Sequence, residues 1–431
     1  MQLIRVLGMV LITILTSFYF FPFKFTFLPV INTKNIMAGI GLCLWGIQLA
    51  YKQGAKINRD FLQLTLWAGA VSLLCFLAVV INDTNDYTYV TYVLSMWIWV
   101  SAANLVVSLI KKLHKQASVE LVVNYLAVVC VAQCLIALAF DLMPHFRYWV
   151  SWFYNIGTRQ ERLEGIGAGL DVAGSRFAAV LIMIVFQMAK ISISNSIRNV
   201  GLYLSAFIVI SVIGNMISRT TTVGVVLGIM YLLYAKMQSS EVKPNFRKIF
   251  SLLIGILFLV IPLIVFEYQM NPLFQQHLRF GFEGFFSLIE TGKWQVHSND
   301  ILKDMYVFPE RLKTWFIGDG YLNDPYEFDT YYIGIDWKGY YQNTDVGYLR
   351  FIFYFGIFGL LAFGIYMCKV AKVCMKRFTN YRLMFLLILL LNFAIWFKVS
   401  TDIFLVFALF LCISEEENNT YEQHILSDES A

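Results

Sequence analysis

A chain of 431 residues that is 59% hydrophobic and only 14% charged cannot present a water-soluble surface. Its net charge of +5 sits mostly in short gaps between apolar runs, so it bears on membrane orientation and excludes a nucleic-acid footprint. Such runs recur along almost the whole length, which predicts an all-α polytopic membrane protein in contact with lipid on most sides.

In chain order, spans are expected near 4–21, 36–51, 61–81, 89–110, 119–140, 177–195, 199–217, 221–236, 249–267, 346–368, 383–397 and 402–413, about 12 in all. The first resembles a signal peptide, but aromatic residues through Phe21 and the lack of a small-residue cleavage site mark it as retained. The gaps 51–60, 111–118, 190–198, 236–248 and 369–382 hold about 17 Lys and Arg, against about four in 22–35, 82–88, 217–221 and 398–402. The first set is therefore expected in the cytoplasm, together with both termini. The resulting division is helices 1–9 over residues 1–267 with an external segment at 141–176, a long external loop at 268–345 between spans 9 and 10, helices 10–12 over 346–413, and an acidic cytoplasmic tail at 414–431.

The seven cysteines fall in spans or at their inner ends, which predicts packing roles and no disulfide framework. No P-loop, HExxH or DxD is present, so neither a metal nor a cofactor is expected, and chemistry must sit outside. The long loop is too aromatic for a solvated linker, with Trp294, Trp315, Trp337 and many tyrosines. Local helices are expected at 275–291, closed by Gly292, and at 299–307, with Ser298 as N-cap.

Candidate chemistry gathers in the external segments. Gly165, Gly167 and Gly169 form either an anion-binding nest or a turn. Arg162, Arg176 and Arg219 offer guanidinium forks suited to phosphate. The bland alternatives are a snorkelling Arg176 and an Arg219 that complements a helix dipole. Arg279 is expected to pair with Glu283 four residues on, and Arg311 to be solvated. His297 is a possible general base, and Asp319, between Gly318 and Gly320, marks first of all a turn. Asp336 and Asp345 crowd the entry to span 10. Arg350, inside its first turns, must face protein, water or an anion. Asp345 is either the N-cap of that span or a general base.

These residues carry a resemblance to the bacterial O-antigen polymerase (Wzy-type) family, within the superfamily shared with O-antigen ligases. The features are RLEG…D…SRFA from Arg162 to Ala178, the ISR turn at Arg219, the long loop, and its close through GDG, TDVGYLR and GIFG. In ligases the last part reads His, an amide or serine, nine residues, then G-x-x-G. Here Asp345, Val346, nine residues, Gly356 and Gly359 reproduce that spacing, with Asp where ligases carry His.

The resemblance implies a GT-C-like, metal-independent glycosyltransferase in a bacterial inner membrane. It would join undecaprenyl-pyrophosphate-linked repeat units into O-antigen or a related surface polysaccharide. A flippase and a chain-length regulator of the same pathway would be its partners. Arg162, Arg176, Arg219, Arg279 and Arg350 would hold the pyrophosphate. Three other readings stand beside it: a ligase acting on a lipid or protein acceptor, a glycolipid flippase, and a non-catalytic scaffold.

Overall fold

The computed structural model describes residues 2–51, 59–157, 161–191, 197–238, 246–328 and 338–414. Asp336, Trp337 and the tail from Glu415 lie outside them. The structure is 77% helical, as the apolar patterning predicts. Its first ten helices are α1 (Gln2–Phe20), α2 (Thr33–Tyr51), α3 (Arg59–Asn82), α4 (Tyr92–His114), α5 (Val119–Leu142), α6 (Pro144–Ser151), α7 (Leu170–Ile191), α8 (Ile197–Ile217), α9 (Thr221–Gln238) and α10 (Phe246–Met270). Four short helices follow: α11 (Pro272–Gly281), α12 (Glu283–Thr291), α13 (His297–Asp304) and α14 (Leu312–Phe316). The chain returns to the bundle as α15 (Gly347–Arg377), α16 (Arg382–Ile395) and α17 (Phe404–Leu411). Two antiparallel ribbons complete it: β1 (Lys24–Phe25) with β2 (Leu28–Asn32), and β3 (Asn323–Phe328) with β4 (Lys338–Tyr340).

Among the described residues, seven helices are long and apolar enough to cross a membrane: α1, α3, α4, α5, α7, α8 and α15. The protein is therefore a multi-pass membrane protein. Each of the twelve expected spans coincides with a helix, yet not all are full crossings. The segment expected at 402–413 is the eight-residue α17. At 1.5 Å per residue that covers roughly 12 Å, less than half of a hydrocarbon core. Its residues are nonetheless almost wholly buried, so it works as a plug inside the bundle. Among the seven long apolar helices α7 is the most enclosed, with 89% of its apolar window covered by protein, against 22% for α1.

α15 breaks its own hydrogen bonding, and this shapes one end of the bundle. Gly356, inside the helix, has φ 68°, where an L side chain is strained and where a Cβ would also collide with the Phe316 carbonyl. The break frees two carbonyls of the preceding turn. Phe353 O accepts from Asp319 N–H at 2.6 Å, and Tyr354 O accepts from Gly320 N–H at 3.2 Å. Gly318 takes φ 86° with its Cα pressed against the Tyr354 backbone, so this GDG turn fits only with glycine. Asn82 and Thr84, at and just after the end of α3, then donate to the carbonyls of Gly318 and Gly320, both at 3.0 Å. Non-helical backbone inside a membrane protein survives only where protein groups satisfy it, and here they do.

Local expectations are corrected at several points. The helix expected at 275–291 is two helices broken at Phe282, although Gly292 closes the second in the left-handed conformation as foreseen. α13 begins at His297 with Val296 before it, so Ser298 is not its cap. At the start of the glycine segment the N–H groups are used internally, which favours the turn over the nest. Gly165 N–H bonds Ala168 O at 2.9 Å, and Ile166 N–H bonds the Gln133 side chain at 2.9 Å.

Candidate functional site

The Arg219 turn, between α8 and α9, is held by its neighbours. Asp171, in the first turn of α7, accepts on one oxygen from Ser218 Oγ at 2.8 Å and from Thr220 Oγ1 at 2.6 Å. The same oxygen takes Lys398 Nζ at 2.8 Å. Three segments, the start of α7, the α8–α9 turn and the stretch after α16, are thereby tied at one end of the bundle, and Arg219 reaches toward α11–α13. Its Nε donates to Phe280 O at 2.8 Å, Nη1 donates to Ser298 Oγ at 2.8 Å, and Nη2 pairs with Glu283 at 2.6 Å.

Arg162 arrives from the other external segment and lands on the same aromatic ring. Its guanidinium lies 4.7 Å from the Phe280 centroid, and that of Arg219 lies 4.2 Å from it. Each contact is a favourable cation–π pair, yet the two cations repel. Burial lowers Arg219 from its ordinary range, Glu283 opposes that shift, and Arg162 adds to it. These residues, with Arg279, Glu290 and His297, line a cleft of about 680 Å3. Arg279 does not pair with Glu283 as expected. Its partner is Glu290 at 2.7 Å, because the break at Phe282 turns α12 back along α11 and leaves Glu283 to Arg219. His297 is exposed, and its backbone N–H donates to Glu283 at 3.1 Å.

The second cluster sits where α15 begins. Arg350 is 7% exposed and fully turned to protein. Nη2 donates to Leu322 O at 3.0 Å and to Asn323 Oδ1 at 2.9 Å, while the guanidinium covers the Tyr340 ring at 4.6 Å. Asp345 lies 3.6 Å from Nη1, a charge contact too long for a hydrogen bond. It is not the N-cap: Val346 occupies that position and no side chain caps the helix. Its Oδ1 is buried without a hydrogen-bond partner. Burial pushes this carboxyl up to about 6, against the pull of Arg350, while Asp171 raises it further and Lys398 lowers it. The two clusters therefore share an electrostatic neighbourhood through the Asp171–Lys398 pair, since Asp171 also acts on Arg219.

Two candidates fall elsewhere. Arg176 does not snorkel. It is 7% exposed and donates to Phe20 O at 2.6 Å, tying α7 to the end of α1. Asp319 is spent on structure, accepting from Thr314 at 2.7 Å and Tyr341 at 3.3 Å. Asp171 entered the sequence reading only as the D of RLEG…D…SRFA, without a role, and Lys398, Asp141 and His277 were not singled out. Lys398 follows a short apolar segment, a signal read only for orientation. The partners of Asp141 and Asp171 are too distant in sequence to be seen.

Among the described residues, no cluster of His, Cys, Asp and Glu suits a metal ion. Compared with protein-family models, curated proteins and solved structures, the chain matches none.

Proposed function

We propose that this protein polymerises lipid-linked oligosaccharides at one face of a membrane, transferring a glycan from one polyprenyl pyrophosphate to a sugar hydroxyl of the next. The observation that carries this reading is the Arg162–Phe280–Arg219 stack. Two guanidiniums from separate segments share one ring, and although Glu161, Glu283 and Glu290 balance the three arginines of the cleft in number, an anion placed between Arg162 and Arg219 would relieve their mutual repulsion. The likeness of the surrounding motifs to O-antigen polymerases supplies the chemistry, with Asp345 standing where a ligase would carry His.

In this reaction the acceptor oxygen bonds to the anomeric carbon as the bond from that carbon to pyrophosphate breaks. The acceptor proton passes to the Asp345 carboxylate, whose burial has brought it into the range useful for a general base. The negative charge that grows on the departing pyrophosphate falls to Arg162 and Arg219, where preorganised donors act most strongly. Arg350 positions Asp345 and fastens the loop, and it does not itself face the cleft ligand. Arg279 flanks the seat through its pair with Glu290.

The test is glycan chain length on cells carrying Arg219→Ala or Asp345→Asn, read against the amount of protein in the membrane. Single repeat units at normal protein levels support polymerisation. Complete loss of attached glycan would point to a ligase or flippase, and unchanged chain lengths in both variants would end this reading.

A further inference from the structure

Two external segments present an apolar surface that is ill suited to water. The β1–β2 ribbon exposes Phe27 and Val30, and α6 with the turn after it exposes Tyr148, Trp149 and Trp152, all between 63% and 84%. The two segments lie side by side. Thr26 N–H donates to Phe153 O at 2.9 Å, Phe25 forms an antiparallel bridge with Tyr154, and the Phe23 and Tyr154 rings meet at 5.4 Å. Their packed sides close around Phe23, Phe140, Val150 and Tyr154, which ties them to the ends of α1 and α5. Large apolar side chains clustered in the open mark an interaction surface.

What covers that surface follows from position, residue type and charge. α6 starts at Pro144, just after α5 ends at Leu142, and the ribbon starts at Lys24, just after α1 ends at Phe20. Both α1 and α5 are long and apolar enough to span. An extended chain covers at most about 3.6 Å per residue, so ribbon and helix both begin at the edge of the membrane. Trp and Tyr are enriched at that level, where an apolar ring body meets lipid and its polar edge meets water. Neither 22–35 nor 142–157 contains an Asp or Glu, whereas Lys24 and Arg147 are exposed cations within them. Such a surface complements anionic headgroups.

We infer that the β1–β2 ribbon and α6 form a platform lying in the headgroup layer of the membrane, with Phe27, Val30, Trp149 and Trp152 entering the lipid. These segments are thus part of the membrane-embedded surface and not a water-exposed connection. The platform needs only membrane lipid as its partner, so it stands whether or not the protein is a polymerase. It also bears on the cleft. Tyr154 Oη donates to Glu164 at 3.0 Å and Arg147 donates to Gly157 O at 3.2 Å, so the segment leading to Arg162 is fastened to the platform. Arg162 is thereby held near the depth of lipid headgroups.

The experiment uses the full-length protein in nanodiscs of phosphatidylglycerol that carries a photoactivatable diazirine near the top of one acyl chain. After irradiation, lipid adducts are mapped on peptides by mass spectrometry. Peptides covering 22–35 and 142–157 should carry about fivefold more adducts than those of α13, which is polar and has no buried residues. Replacing Trp149→Ser and Trp152→Ser together should reduce adducts at 142–157 by about as much. The wild-type map needs no variant, so it decides even if the doubly substituted protein fails to assemble. Adducts at both segments no more frequent than on α13 would overturn the platform, and would leave the face to water or to a second copy of the chain. Unchanged adducts at 142–157 in the assembled double variant would overturn the role given to the two tryptophans.

Discussion

Two arginine sites at one end of this bundle look alike in sequence and differ in what their charges have left to do. At the cleft, Arg162 and Arg219 are crowded onto Phe280, with Glu283 on Arg219 and with Glu161 and Glu290 also in the lining. At the start of α15, Arg350 is held by Leu322, Asn323, Tyr340 and Asp345, all from its own chain. A buried arginine is thus a poor pointer to a ligand by itself. The informative quantity is the charge that the surrounding protein leaves uncompensated. In the proposed reading the cleft, where two guanidiniums crowd one ring, takes the anion, and the α15 entry is a fastening that leaves Asp345 Oδ1 and Arg350 Nε without hydrogen-bond partners.

The largest effect should come from that oxygen. Asp345→Asn removes a proton acceptor without changing the shape, and losing a general base typically costs about 10²–10⁴-fold in rate. The carboxyl is active only when deprotonated, so polymerisation in isolated membranes should rise with pH through about 6 and level off above it. Asp345→Asn should lose this limb. A wild-type rate in the variant would leave the carboxylate with no role in proton transfer.

Next in size is Arg219→Ala, for which loss of a preorganised charge-stabilising donor is expected to cost about 10²–10³-fold. Arg219→Lys keeps the charge and gives up the fork, so it should retain more activity. Arg162→Ala should lose less than Arg219→Ala, because Glu283 then partners the only cation left on the ring. If Glu283→Gln raised affinity for inorganic pyrophosphate in wild-type but not in Arg219→Ala background, the anion seat would be located on that residue.

Arg350→Lys should act mainly through protein quantity. Hydrogen bonds to charged groups contribute about 1.5–3 kcal/mol, and lysine cannot reach Leu322 and Asn323 while covering Tyr340. The loop should become more open to proteolysis near residues 318–328, with activity per molecule little changed. Severe inactivity at normal abundance and unchanged proteolysis would erase the contrast and make the α15 entry a second anion seat. The smallest perturbation is Lys303→Cys, on an exposed part of α13. It should react with an impermeant thiol reagent in intact spheroplasts without loss of function, whereas a cysteine at Lys115 should not. The opposite labelling would invert the orientation taken from charge.

How much of this was legible depended on the range of the cause. Helices announced themselves through apolar runs, and Arg219 through a linker too short to be anything but a turn. Of the two readings of Asp345, the cap fails, because a carboxylate before an apolar run has that local signature while the actual start, after Val346, is packed against Leu302, Met305 and Tyr341 of the loop. The break at Phe282 was marked only by the flanking Gly281 and Gly284, a signal outweighed by the apolar residues on either side. It also exchanged the expected partners of Arg279 and Glu283. Asp141 and His277 lie 136 residues apart, and only folding makes them a pair.

The interruption of α15 has a consequence for how the protein is made. A membrane helix normally completes its hydrogen bonds before it meets its neighbours, and so can be released into lipid alone. α15 cannot, because two of its carbonyls wait for the N–H groups of Asp319 and Gly320. Those residues precede it in the chain, so the loop must stand beside the helix before these bonds can close. Packing of the loop and completion of the helix are therefore coupled. A helix left without the loop would keep bare carbonyls at the break, which lipid cannot satisfy.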